Sequence, residues 1–248
     1  MKTSILAVLI LALILPSLAQ KSPFKFGEID QKYFEMTHCP IDSSAGAMII
    51  EDYGLSTIDY NFEIAFLYHV RIKIFDKSEF DRADISIPHY YRDQVRKLKA
   101  STYNLENGKV VEYEVEKDQI FKEERSEYTR AINFTFPKVQ EGSIIEYTYM
   151  VNYGDWTKLN SFYFQTSIPT LSSQYELEIP EYFHYKRLLS GYLPLSKADI
   201  DYKNGSIGTT PVKLQVHNYV AKNVPAFKEE PHMTTESDYI SKIEFELD

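Results

Sequence analysis

The sequence predicts an all-β chain, an antiparallel β-sandwich with few short helices. Three observations carry that reading: apolar residues that alternate with polar ones in six separate runs, Asn-Gly pairs set between extended segments, and an aromatic content dominated by 20 Tyr and 15 Phe against one Trp. Alternation with a period of two places one face of a strand in a core and the other in water, as in antiparallel sheets and unlike the continuous apolar strands of parallel ones. Tyr and Phe favour the pleated, half-buried surface.

Taken from the N-terminus, Lys2 is followed by the unbroken apolar run Ile5 to Leu15 and by the small residues of Pro16-Ser17-Leu18-Ala19. This is the pattern of an export signal cut after Ala19. A spanning helix needs ~20 apolar residues, so the run is too short to be an anchor, and no later stretch is apolar enough to cross a bilayer. Residues 20–46 read as a leader that packs on the domain. The body spans 47–223, and 224–248 reads as a docking or linker segment.

Within the body, Phe62, Ile64, Phe66, Tyr68, Val70, Ile72 and Ile74 alternate with Glu63, His69, Arg71 and Lys73. That predicts one long strand whose polar side, His69 included, faces solvent. The same rhythm predicts strands at 83–87, 132–136, 145–151, 175–179 and 212–217, with His217 on a solvated face. Asn107-Gly108 and Asn204-Gly205 are expected to turn two hairpins, because both residues tolerate positive φ. Prolines 88, 137, 169, 180 and 211 fall at the ends of runs, where a missing N–H harms a ladder least. Short helices are expected at Tyr91 to Lys99 and Lys117 to Arg125.

Composition excludes several functions. Removing residues 1–19 takes away Lys2 and leaves 26 Lys and Arg against 36 Asp and Glu, a formal charge of −10. Nucleic acid is therefore a poor partner, since phosphate binding requires clustered cations. The single Cys39 permits no internal disulfide in an exported chain. Its neighbour His38 suggests a Cys/His nucleophile pair, but adjacent residues point apart and Pro40 opposes a helix starting there. The histidines at 38, 69, 89, 184, 217 and 232 show no metal-ligand spacing, so no metal or other cofactor is expected. No G-x-S-x-G, Walker or dinucleotide motif occurs. Asn133-Phe134-Thr135 and Asn204-Gly205-Ser206 fit the glycosylation acceptor pattern, which matters only in a eukaryotic secretory route. The best candidates for ligand contact are His89, Tyr90 and Tyr91, in a loop mixing aromatics with charge, and Trp156.

Residues Ala100 to Lys109 and Phe134 to Tyr147, extended by Phe162 to Pro169 and Val224 to Pro231, resemble the DUF3857 family of bacterial exported proteins, closest to those of Bacteroidetes. The resemblance implies a β-sandwich module placed ahead of a transglutaminase-like domain that carries a papain-like Cys, His and Asp. Cys39 lies upstream of the module and does not match that nucleophile, so no catalytic residue carries over. The implied protein is an exported, periplasmic or extracellular, non-catalytic accessory module, with a catalytic domain in cis, or a cell-envelope protein or glycan, as partner. Pro225, Phe227 and Pro231 are the expected docking residues. The alternation of Ile243, Phe245 and Leu247 at the end of the chain predicts a strand that either pairs in this sandwich or opens an interface with a further domain. A free-standing binding module for envelope glycan or peptide is the alternative.

Overall fold

The computed structural model describes residues 22–58, 61–153, 159–229, 233 and 235–247. The expected export signal therefore lies outside the described residues. Among the described residues, fourteen strands occur in chain order: β1 (Ala47–Ile58), β2 (Ile64–Ile74), β3 (Asp84–Tyr90), β4 (Gln94–Glu106), β5 (Lys109–Glu114), β6 (Phe121–Glu124), β7 (Thr129–Thr135), β8 (Ile144–Tyr153), β9 (Phe162–Tyr163), β10 (Thr170–Pro180), β11 (Tyr185–Ser190), β12 (Lys197–Ile207), β13 (Thr210–Val224) and β14 (Lys242–Leu247). The leader carries one short helix, α1 (Gln31–Glu35).

The fold is mostly β and sandwich-like, as the alternation predicts. Eight strands form one large sheet in the order β12-β13-β10-β1-β2-β8-β4-β5, and two three-stranded sheets, β11-β14-β9 and β3-β7-β6, accompany it. One pair departs from the antiparallel expectation: β1 and β10 run parallel, with Ile49 opposite Thr170 and Thr57 opposite Glu178, so the large sheet is mixed. A parallel pair needs a long crossover, here supplied by everything between β1 and β10. Periodicity within a strand says nothing about the direction of its neighbour.

The even residues of β2 point into the sandwich. Val70 and Ile72 join Ile145 of β8 and Ile87, Ile132 and Phe134 of the β3-β7-β6 sheet in one buried cluster. A second cluster joins Tyr175 and Leu177 of β10 with Tyr219, Phe162, Ile243 and Phe245. Gly54 of β1 belongs to that packing, because a Cβ there would sit 2.6 Å from the Phe162 ring. β14 is the middle strand of its sheet, paired with β11 and β9. Ile243 is fully buried and Phe245 nearly so. Burial of two such side chains contributes roughly 3–6 kcal/mol. The final run of the sequence is thus a core element of this domain.

Several local expectations are corrected. The polar side of β2 does not face water: His69, Arg71 and Lys73 are all buried, beneath the leader. His217 is buried as well, against Tyr219 and Gln215. The stretch expected to be helical at 91–99 enters β4, where pairing with β8 overrides local propensity and a bulge is absorbed by Lys97 at φ +54°. At 117–125 only a single 3₁₀ turn over Lys117–Gln119 precedes β6. Asn107 and Gly108 do turn β4 into β5, with φ of +50° and +77°. Asn204 and Gly205 instead lie inside β12, opposite Lys213 and Val212, and the chain turns at Gly208-Thr209. Gly205 stays in the strand because its missing side chain admits Leu214, whose Cδ1 would collide with a Cβ at that position.

Candidate ligand-binding groove

β3, β7 and β6 pair so that Ile85, Ile87, Ile132 and Phe134 point toward the core. The same pleat turns Asp84 and Ser86, with their partners Thr135 and Asn133, to the outer face. Phe121 pairs with Asn133 from the other side, and Glu123 lies two residues further along β6. These side chains line a groove of about 670 Å³ together with Arg125, Asp118 and Gln119.

The groove is wired by hydrogen bonds. Asn133 Nδ2 donates to Glu123 Oε2 at 2.8 Å and Arg125 Nε to the same oxygen at 3.2 Å. Arg125 Nη2 donates to Ser86 Oγ at 2.7 Å, and that hydroxyl donates to Asn133 Oδ1 at 2.7 Å. The bonds from Asn133 and Arg125 hold the Glu123 carboxyl below the usual carboxylate range, so it presents negative charge at neutral pH. Phe121 stands at the rim, 64 % exposed. A carboxylate, a guanidinium, an amide and hydroxyls beside an exposed ring can orient a polar, hydroxyl- or amide-rich ligand by hydrogen bonds while the ring covers its apolar face.

His89, Tyr90 and Tyr91 lie at the far end of the same sheet. The His89 Nδ1 atom lies 3.2 Å from the Ile87 carbonyl oxygen. Tyr90 is exposed, and its N–H donates to Asp93 Oδ2. Tyr91 meets Tyr128 at a ring separation of 6.2 Å and carries the Arg92 guanidinium over its own ring at 5.3 Å. The fold therefore brings the exposed rings of Tyr91 and Tyr128 together at this end of the sheet, where Tyr90 is also exposed. Trp156 lies outside the described residues, and Tyr163 stands on β9 of the other small sheet.

No local sequence signal announces the groove. Phe121, Glu123 and Arg125 fall in a stretch with helical charge density, and Asn133 stands out only as a glycosylation acceptor. Cross-strand pairing alone brings them together.

The expected docking residues lie against this chain itself. Gln165 Nε2 donates to the Pro225 carbonyl at 3.2 Å, and the Phe227 N–H donates to the Thr166 carbonyl at 2.8 Å; Pro231 is outside the described residues. Cys39 is buried with Phe34, Met48 and Ile50, while the His38 ring meets the Thr37 hydroxyl at 3.2 Å. Among the described residues, no three His, Cys, Asp or Glu side chains cluster so as to hold a metal ion, and no helix is long and apolar enough to cross a membrane.

Comparison with known proteins adds a family and a fold. The family model for DUF3857, a domain of unknown function with a solved structure, matches residues 62–226. No curated protein matches the chain. A solved structure from Parabacteroides distasonis, described as a "putative protease", superposes with a TM-score of 0.65 at 11 % identity. The match covers 81 % of this chain and 40 % of that one, so this chain spans less than half the length of that protein. At such identity the likeness shows the fold alone. Yeast LTA4 hydrolase in complex with Bestatin aligns at 10 % identity over 71 % of this chain and 29 % of its own, with a TM-score of 0.32 that is too low to show a common fold.

Proposed function

Because the chain belongs to the DUF3857 family, we propose that it is an exported, non-catalytic accessory module of a transglutaminase-like protein, which holds a substrate segment on the outer face of its β3-β7-β6 sheet. The observation that carries this reading is the hydrogen-bonded groove of Glu123, Arg125, Asn133 and Ser86 beneath the exposed ring of Phe121. Its side chains hold one another in place, so a ligand meets donors and acceptors already oriented. An accessory role is supported by the resemblance of the 100–109 and 134–147 blocks to modules that precede such domains. It is also supported by the large part of the Parabacteroides protein that this fold leaves unmatched.

A second reading, a free-standing module for cell-envelope glycan or peptide, is favoured by the exposed Tyr91–Tyr128 ring pair and by the exposed Tyr90 at the same end of the sheet. Two measurements separate the readings. The intact mass of the native protein from fractionated cells is expected to exceed that of residues 20–248 by a whole domain; a mass equal to that span sinks the accessory role. Titration with soluble peptidoglycan fragments and with short peptides, followed by amide NMR shifts, is expected to perturb Phe121, Glu123 and Asn133. Phe121→Ala should weaken that response at least tenfold. Shifts confined to residues away from the sheet, or none at millimolar ligand, rule out the groove as the binding site.

A further inference from the structure

Charge is unevenly spread along the groove of the β3-β7-β6 sheet. Its lining carries the carboxylates of Asp84, Asp118 and Glu123 and, among the described residues, one cation, Arg125. That cation is taken up inside the network, with Nε on Glu123 Oε2 at 3.2 Å and Nη2 on Ser86 Oγ at 2.7 Å. Arg125 therefore balances Glu123, and Asp84 and Asp118 remain in the lining without a countercharge.

Register brings those two to the same end. Asp84 opposes Thr135 at the last pair of the β3-β7 ladder, whereas Phe121 opposes Asn133, two residues earlier on β7. Because β6 runs antiparallel to β7, the turn that leads into it, with Asp118 and Gln119, lies on the Thr135 side of Phe121. Thr135 Oγ1 donates to Asp84 Oδ1 at 2.5 Å, which holds that carboxyl on the outer face. Asp118 is exposed, as is the Phe121 ring beside it. One end of the groove is thus a closed ion pair, and the other an open ring next to two uncompensated carboxylates.

Such an end suits a cation on an apolar stem. A lysine or arginine side chain lays its methylenes along an apolar surface and keeps its charge at the tip, and an aromatic face attracts that charge as well. The neighbouring backbone favours a peptide over a sugar as the carrier. Among the described residues β6 pairs with β7 alone, so it is an edge of its sheet, and all four of its residues are exposed. An edge strand offers unpaired N–H and C=O groups to which an extended peptide adds as a further strand.

We infer that the groove takes an extended peptide bearing a lysine or arginine side chain, whose cation lies between Asp84 and Asp118 and whose stem rests on Phe121. This rests on the reading of the groove as the substrate site and adds the chemistry of the segment it holds.

The test uses the full chain and four amidated pentapeptides with an uncharged N-terminal fluorophore: Thr-Lys-Thr-Lys-Thr and its counterparts with Arg, Gln or Glu in place of Lys. Fluorescence anisotropy is expected to show the Lys or the Arg peptide bound at least tenfold more tightly than the Gln peptide, with the Glu peptide weakest; whichever basic peptide leads identifies the preferred cation. Asp84→Asn/Asp118→Asn should bring the basic peptides down to the level of the Gln peptide and leave the latter unchanged, whereas Phe121→Ala should weaken all of them. Gln or Glu peptides bound as tightly as the basic ones, and still sensitive to Phe121→Ala, overturn the inference while the groove stands as the site. No peptide bound at millimolar concentration, or binding that ignores Phe121→Ala, overturns both. Soluble peptidoglycan fragments bound more tightly than any peptide would make a glycan the occupant and overturn the inference. Should the double variant fail to fold, salt decides on wild type: added sodium chloride is expected to weaken the basic peptides and not the Gln peptide, and equal insensitivity overturns the inference.

Discussion

Asp52 of β1 offers a test of how burial and hydrogen bonding balance inside this sandwich. It is 4 % exposed, accepts a 2.7 Å hydrogen bond from Ser173 Oγ, and lies beside the Tyr68 hydroxyl. Burial lifts its carboxyl from 3.8 to about 6, with the Ser173 and Tyr68 hydroxyls opposing the rise. A folded-state value above the unfolded one means that the native state binds more protons between the two. Stability is therefore full below the unfolded value and falls as pH rises from about 4 to about 6. The whole gap corresponds to about 3 kcal/mol, of which about 2 kcal/mol accrues between about pH 4.5 and 7. Asp52→Asn removes the titration and keeps an acceptor for Ser173. Wild type alone cannot report this, because His217 is pushed down to about 4 by burial and by Arg187, and adds a slope of opposite sign in the same window. The quantity to measure is the difference between the Asp52→Asn variant and wild type in urea unfolding free energy at several pH values. It should grow by about 2 kcal/mol from about pH 4.5 to 7. A flat difference, or one that shrinks, refutes the assignment of burial as the controlling cause.

Packing sets two further outcomes. Glu146→Ala leaves Arg71 Nε, His69 Nε2 and the Gly27 N–H without their acceptor, and should lower urea stability by about 3–5 kcal/mol; a loss under about 1 kcal/mol would mean that water enters and replaces the carboxylate. Phe245→Ala empties a site in the middle strand of the β11-β14-β9 sheet and should cost about 3–5 kcal/mol in the same assay, whereas an unchanged midpoint would return 242–247 to the role of a detachable linker.

The strands at 145–151 and 175–179 are legible in the residues alone because alternation is local, and the 107–108 hairpin because Asn-Gly meets its turn geometry without outside help. Gly205 shows where such legibility stops. Its Asn-Gly pair has the chemistry of a turn, but the side chain of Leu214 across the strand makes better use of the missing Cβ. The groove is illegible for a related reason, since Glu123, Arg125, Asn133 and Ser86 come from separate segments of the chain and acquire a common face only through register.

A two-residue rhythm rich in Tyr and Phe is enough to specify a β-sandwich with aromatic packing, and which residues of each strand share a face, because the pleat has a period of two whatever surrounds it. What each face meets depends on packing between distant segments. The odd positions of β2 carry the polar residues expected of a wet surface, yet the leader covers them, and their charges are buried against Glu146 and the backbone of residues 25, 27 and 34. Periodicity fixes the direction of a side chain; only the rest of the fold determines whether water or protein lies in that direction.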